Sequence, residues 1–351
     1  MTKIQVNQQN IFVILIKGGA FSSSQIHAEL LNKGDKISLV TVKRELSELK
    51  GLELINSSGS GRSVKYSISS LGRIVTDINA KEYCAVEPDK RYGLTQYNFD
   101  LFNGFPNEIF SDSEIQGMNS ATDVYRNNIK SISQTLLEKE VERFVIELSW
   151  KSSKIEGNTY TLLDTERLIS KGLEAAGHDE KEAKMILNHK AAFKCIRENS
   201  NHFKELTASN LEEVHKLLIK DLNIDHGLRE KAVGVTGSIY RPLDNIHQIR
   251  EAVDILCGTV KKIESAYAKS LVALLGLSYI QPFEDGNKRT SRLMANALLL
   301  SHGYAPLSYR SVDENEYREA MLVFYELNSI VPFKKIFVEQ YTFAAKHYSV
   351  K

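Results

Sequence analysis

Proline is scarce in this chain, with six in 351 residues. Proline breaks helix interiors, so its scarcity beside long apolar periods of 3.6 residues predicts a mainly α protein. Cysteine is scarcer still. Cys84, Cys195 and Cys257 are odd in number and widely spaced, which argues against a disulfide frame and for a reducing, cytoplasmic setting. No paired Cys/His spacing suggests zinc. An excess of one charge is missing too: 45 Lys and Arg meet 44 Asp and Glu, a net +1. No global field therefore draws the chain to nucleic acid or to a membrane. No apolar run reaches spanning length, and no secretory leader is expected. Internal repeats and low-complexity tracts are lacking as well. What is present is an ordinary globular balance, 42% apolar and 25% charged. The length suits two or three domains with a real core.

One stretch organises the rest: Gln281-Pro282-Phe283-Glu284-Asp285-Gly286-Asn287-Lys288-Arg289-Thr290-Ser291-Arg292. An apolar run, Leu271 to Ile280, leads in, and a second, Leu293 to Leu300, follows and stops at Gly303. The pattern predicts helix, tight loop, helix. Glu284-Asp285-Gly286-Asn287 has turn chemistry, since Gly and Asn tolerate positive φ and Asp accepts local backbone bonds. The loop sits just before a helix start, where free N–H groups and the dipole attract anions. Successive N–H groups there can form an anion-binding nest. Arg289 and Arg292 share one face of the first turn. Two cations there oppose the dipole, a cost that an anion between them offsets. Asp285, a hard carboxylate beside a phosphate nest, is the candidate Mg²⁺ ligand.

This stretch resembles the signature of the Fic (Fido) family, H-x-F-x-[D/E]-G-N-[G/K]-R-x-x-R. Phe283, Asp285, Gly286, Asn287, Lys288, Arg289 and Arg292 match it, whereas Gln281 stands where the histidine belongs. The likeness extends over roughly residues 110–340. It implies a helical Fic core over 113–345 with a β-hairpin flap, and an ATP site built from Glu284 to Arg289 and Arg292, with Mg²⁺ on Asp285. It also implies AMP transfer from ATP to a Ser, Thr or Tyr hydroxyl of a target protein.

Residues 1–80 read as a small α+β domain. Ile11 to Ile16 is an apolar first helix, ending at Gly18-Gly19. Ser23-Ser24 cap a second, Gln25 to Asn32, and Ser38 caps a third, Leu39 to Lys50. Leu52 to Ile55, a glycine tip Ser57 to Arg62, and the alternating Val64 to Ile68 read as a hairpin. The order resembles a winged helix-turn-helix, which implies DNA contact through the third helix and the wing. These residues hold ten Lys and Arg against six Asp and Glu. Glu45 and Glu48 share the third helix, so DNA affinity is expected to be modest unless the protein is a homodimer. Protein contact or dimerisation is the other use of such a domain. Residues 81–112 form a connector too aromatic for a free linker.

Helices are expected over 113–158, the second from about Glu138 to Ile155, then over Leu162 to Leu173, Glu180 to Asn199 and Leu211 to Leu222. His189 and His215 lie on mixed faces, as structural histidines do. Ser152-Ser153-Lys154-Ile155-Glu156-Gly157 is similar to the family's inhibitory motif [S/T]-x-x-x-E-[G/N]. The likeness implies that Glu156 pairs with Arg292 and displaces the γ-phosphate, a carboxylate competing with phosphate for one guanidinium fork. Gly157 is a natural helix stop. Arg229 to Pro242 is β-prone with glycines and is similar to the flap, with Val235, Thr236, Gly237 and Ser238 at its tip. The flap would seat a target by strand addition. Further helices are expected at Val253 to Ile263, Ala266 to Ile280, from Asp313, and Phe333 to Tyr341. Tyr317 is one candidate to line the nucleotide base.

In active relatives the motif histidine takes the proton of the attacking hydroxyl. Gln281 cannot do so near pH 7, and loss of a general base typically costs ~10²–10⁴-fold. His247 and His302 are the conceivable substitutes. Two functions stay open: a weak or inactive adenylyltransferase with a DNA-binding domain, or a nucleotide-sensing transcriptional regulator without catalysis.

Overall fold

The computed structural model describes residues 4–349; the first three residues of the expected 1–80 domain lie outside that range. The chain divides into two compact units. The first comprises the described residues up to Pro106 with Gly234–Arg241 and Glu319–Lys334, and the second the remainder.

The first unit begins with three helices, α1 (Val6–Leu15), α2 (Ser23–Asn32) and α3 (Leu39–Gly51). They bury Ile11, Phe12, Leu15, Ile26, Leu30, Val42 and Leu46 among themselves. Ser22, one residue before the expected pair, caps α2 by accepting from Gln25 N, and Ser38 caps α3 by accepting from Thr41 N. Strands β1 (Ile55–Ser58) and β2 (Lys65–Ile68) pair antiparallel with Ile55 opposite Ile68. The first strand thus starts where the expected one ended. Gly59 at the tip has φ +85, and a Cβ there would lie 2.7 Å from Ser63 O, so the turn needs glycine. Glu45 does not dilute the exposed basic face of α3. It is buried, and it accepts from Gln8 Nε2 at 3.0 Å and from Arg44 at 2.9 Å. Short helices α4 (Ser70–Val75) and α5 (Ala80–Cys84) lead into the aromatic stretch that was expected as a connector. Up to Pro106 that stretch clusters with this unit.

The second unit is helical: α6 (Asp112–Ser131), α7 (Gln134–Ile155), α8 (Leu162–Lys171), α9 (Glu180–Glu198), α10 (Ala208–Leu218), α11 (Ile246–Lys262), α12 (Ala266–Ile280) and α13 (Asn287–Ser301). α14 (Glu314–Leu327) and α15 (Val331–His347) are the last helices among the described residues, and residues 319–334 cluster with the first unit. α12 buries every residue but Lys269. A helix apolar all round belongs at the centre of a core, and α13 packs on it with α7, α9 and α10 alongside. Gly276 lets α11 approach α12: a Cβ there would meet Leu256 Cδ1 at 2.4 Å. The fully buried leucines of α12, such as Leu271, Leu274 and Leu275, each contribute about 1.5–3 kcal/mol. This rigid pair carries the loop between them.

The expected β-hairpin flap is not formed. Among the described residues the only paired strands are β1 and β2. Residues 235–238 make a single turn, with Ser238 N donating to Val235 O at 3.1 Å. The donors that a hairpin would pair are engaged elsewhere. Ile239 N goes to Glu326 Oε1 at 3.2 Å and Arg241 N to Thr95 O at 3.0 Å, while Arg229 N goes to Pro282 O at 3.0 Å.

Candidate functional site

The loop between α12 and α13 is over-determined by contacts from distant sequence. α12 ends on Gln281 in the left-handed region, φ 52 and ψ 59, an uncommon place for a residue with a side chain. Arg229 holds it there: its Nε donates to Gln281 O at 2.6 Å, its Nη1 to Lys231 O at 2.9 Å, and its Nη2 to Leu243 O. The Gln281 amide turns back and donates to Ser278 O at 2.6 Å. Phe283 stacks on His215, centroids 3.8 Å apart and planes 5° from parallel. A carbonyl only accepts, so His215 Nε2 carries the proton that it shares with Asp285 O at 3.0 Å. Burial pushes His215 down to about 4, against the opposing pull of that bond; it is neutral at pH 7. Asn287 closes the turn, accepting from Phe283 N at 2.8 Å and donating to Phe283 O at 2.7 Å. Its amide is thus spent on the loop's own backbone.

α13 then starts from Gly286, φ 80, with no side chain capping its first turn. The leading N–H groups of such a helix attract anions. Two guanidinium groups flank that end. Arg289 is 2% exposed and pairs with Asp285 at 3.1 Å. Its Nη1 is buried and has no hydrogen-bond partner among the described residues. Burial lowers the Arg289 pKa, as expected of a cation short of counter-charge. Arg292 is fully buried. Its Nε donates to Ser152 Oγ at 2.9 Å and its Nη2 to Ser152 O at 2.8 Å. Glu156 Oε1 lies 2.9 Å from Arg292 Nη1, and Oε2 lies 3.4 Å from Lys288 Nζ. The Oε1 contact is off-line for a hydrogen bond, so it is mainly a charge contact. Burial alone would raise the Glu156 pKa, but Arg292 and Lys288 outweigh it and hold the carboxyl below its ordinary value.

α7 ends at Glu156, with Gly157 at φ 97 just beyond. A carboxylate there opposes the helix dipole. Arg292 offsets that cost, and Arg318 caps the same end by donating to Ile155 O at 3.1 and 2.6 Å. Ser152, Glu156, Lys288 and Arg292 are thus one cluster; Asp285 and Gly286 belong to the adjoining loop, and Asn287 and Arg289 to the first turn of α13. Glu284 pairs with Lys231 at 3.1 Å. Tyr317 is 1% exposed, and its hydroxyl lies 3.5 Å from Arg292 Nη1; it packs on the guanidinium. His247 is exposed at the start of α11. His302 ends α13 and bonds Leu298 O, roughly 20 Å along the helix from the loop. Val235, Thr236, Gly237 and Ser238 belong to the first unit. Asp285 is a 61% exposed carboxylate, a donor that suits Mg²⁺ held partly by substrate phosphates rather than by an all-protein cage.

Arg229 was not singled out from the sequence. It stands 52 residues from Gln281, and no local pattern marks an arginine that bonds main-chain carbonyls.

Residues 205–299 match the model of the Fic/DOC family. A protein adenylyltransferase Fic from Nematostella vectensis is 26% identical over 187 residues, which are 52% of this chain and 44% of that protein. One from Aedes aegypti is 27% identical over 225 residues, 62% of this chain and 44% of its own length. The matched stretch thus spans less than half the length of these relatives. A solved fragment of Fic-1 from C. elegans shares the fold, with TM-score 0.56 and 18% identity over 67% of this chain and 71% of that one. The chain carries a Fic-family domain, related at modest identity to protein adenylyltransferases. No helix among the described residues is long and apolar enough to cross a membrane.

Proposed function

We propose that the protein binds ATP at the α12–α13 loop and descends from the protein adenylyltransferases, with transfer reduced or lost through Gln281 and held back by Glu156. The observation that carries this reading is the Glu156 carboxylate 2.9 Å from the Arg292 guanidinium, beside an uncapped helix start and a buried Arg289 nitrogen without a hydrogen-bond partner among the described residues. An anion site is built, and a carboxylate of the chain itself occupies its second arginine.

In the transfer, a Ser, Thr or Tyr oxygen of the target attacks the α-phosphorus of ATP. The new P–O bond forms, the bond to pyrophosphate breaks, and the hydroxyl proton must leave. Arg289, Arg292 and the N–H groups of α13 would stabilise phosphate charge. Mg²⁺ on Asp285 would neutralise phosphate oxygens. Gln281 has no site for the proton, and its amide is engaged with Ser278 O. The turn at Val235–Ser238 would seat the target protein, and residues 1–80 would bind DNA through α3 and the β1–β2 wing.

Wild type should incorporate α-labelled ATP barely above background. Glu156→Gly alone corrects phosphate placement without supplying a base. Gln281→His alone supplies a base without seating the γ-phosphate. Only the double variant should transfer AMP readily, a non-additive result expected of groups acting as one unit, and Arg289→Ala should silence it. A silent double variant that still binds ATP favours the second reading, a nucleotide-sensing regulator. The absence of a proton acceptor at Gln281 is the observation behind that alternative. Robust transfer by wild type would overturn the role given to Gln281.

A further inference from the structure

Glu326, in α14, is fully buried in the first unit and collects donors from three separate stretches of chain. The Tyr83 hydroxyl lies 2.6 Å from its Oε2 and 2.6 Å from Tyr92 O, and its one proton is shared between these two acceptors. Arg91, also buried, pairs with Oε1 at 3.1 Å. Ser238 Oγ and Ile239 N donate to the same Oε1 at 2.8 and 3.2 Å. Arg91 Nη1 also donates to Gly237 O at 3.0 Å. Gly93 allows the close approach: a Cβ there would stand 2.6 Å from Glu326 O, which accepts from Leu94 N at 2.6 Å.

This is an expensive way to hold a surface turn. Gly234, Thr236 and Gly237 are exposed and bring no core of their own. A buried ion pair adds little net stability, because desolvation offsets the attraction. A carboxylate gripped by several donors from separate stretches does fix one geometry. A turn held in one shape lowers the ordering cost that a bound partner would otherwise meet.

We propose that Arg91, Tyr83 and Glu326 are positioning residues for the turn Val235–Ser238, presetting the surface on which a target polypeptide docks. The inference rests on the transferase reading for the identity of the partner, and on the hydrogen-bond geometry alone for the anchor.

The test uses the full chain. Glu326→Gln removes the charge and keeps the volume, and Arg91→Lys keeps the charge and loses the fork. Amide hydrogen exchange is followed in peptides covering 234–241, with peptides from α2 and α3 as reference. Exchange in 234–241 should speed up about tenfold or more in Glu326→Gln, the scale of a lost bond to a charged group, and less in Arg91→Lys. The reference peptides should exchange as in wild type. Unchanged exchange at 234–241 overturns the proposal. Faster exchange in the reference peptides overturns it too, because the network would then only hold the fold.

In the Glu156→Gly/Gln281→His background, Glu326→Gln should lower self-labelling while calorimetric ATP binding stays the same. Equal loss of ATP binding counts against a positioning role. If that background is itself silent, the failure belongs to the transferase reading, and the exchange result still decides the anchor.

Discussion

Glu156→Gln isolates the charge contact at the site, since the amide keeps the volume and removes the charge. Arg292 is 0% exposed and the Glu156 side chain 18%. Breaking a buried pair by removing one partner costs about 3–5 kcal/mol. Ser152 still provides two acceptors, at 2.9 and 2.8 Å, and Glu156 is partly open to water, so the lower end, about 3 kcal/mol, applies. At about 2–4 °C per kcal/mol for a domain of this size, Tm should fall by about 6–12 °C. ATP supplies the missing negative charge. At a hundred times its Kd it restores about 2.7 kcal/mol, bringing the variant close to wild type. Wild type should gain less, because its carboxylate must first be displaced. The assay is thermal and urea unfolding of both proteins with no ligand, with Mg-ATP, and with adenosine, which lacks the phosphates. The pH dependence follows from the lowered Glu156 pKa. The pair's contribution is fully present above the ordinary carboxylate value near ~4.3 and is lost as pH falls through the lower folded value. The gap between the proteins should therefore close in acid. A variant as stable as wild type without ligand, or equal ATP shifts in the two, would refute the reasoning.

His215 has a folded pKa of about 4, below its ordinary ~6.5, so its neutral form stabilises the fold fully above ~6.5, and this support wanes as pH falls toward 4. Urea unfolding should show about 2 kcal/mol less stability at pH 5 than at pH 7 from this group, and His215→Gln should flatten that slope; an unchanged slope counts against it. Arg229→Ala strands three carbonyl acceptors, those of Gln281, Lys231 and Leu243. It should cost about 2–4 kcal/mol in urea unfolding and weaken calorimetric ATP binding, whereas a neutral substitution would mean that the loop holds its shape without it. The full chain should shift duplex DNA at low salt and lose it steeply as salt rises. Arg62→Ala with Lys65→Ala, both exposed at the wing, should weaken binding across sequences; no shift at any salt argues for a protein-contact role of that domain.

Local order was legible in the chain because it is written at short range. Apolar periods announce α12 and α13, and Ser38 announces the start of α3. Gly286 announces the turn, whose positive φ glycine adopts without strain. The family signature lies within twelve consecutive residues, so a likeness could be read there and the anion-binding chemistry reasoned from it. Pairings across long separations had no such code. Glu156 was linked to Arg292 only through likeness; the 2.9 Å between them is a property of how α7 packs beside α13. Stacking of His215 on Phe283, and the grip of Arg229 on Gln281, depend on bringing together residues 52 or more apart. Glu45 reads as a surface charge in sequence, yet Gln8 and Arg44 draw it inside. The flap shows the same limit most plainly. Val233 to Pro242 has strand composition, but strand composition expresses only a fit to a pleated neighbour. Glu326 and Thr95 took its backbone donors first, and a donor bonded to a buried carboxylate is no longer available to a ladder. Residue types set which bonds each segment was able to make; the packing of the whole chain decided which partner arrived.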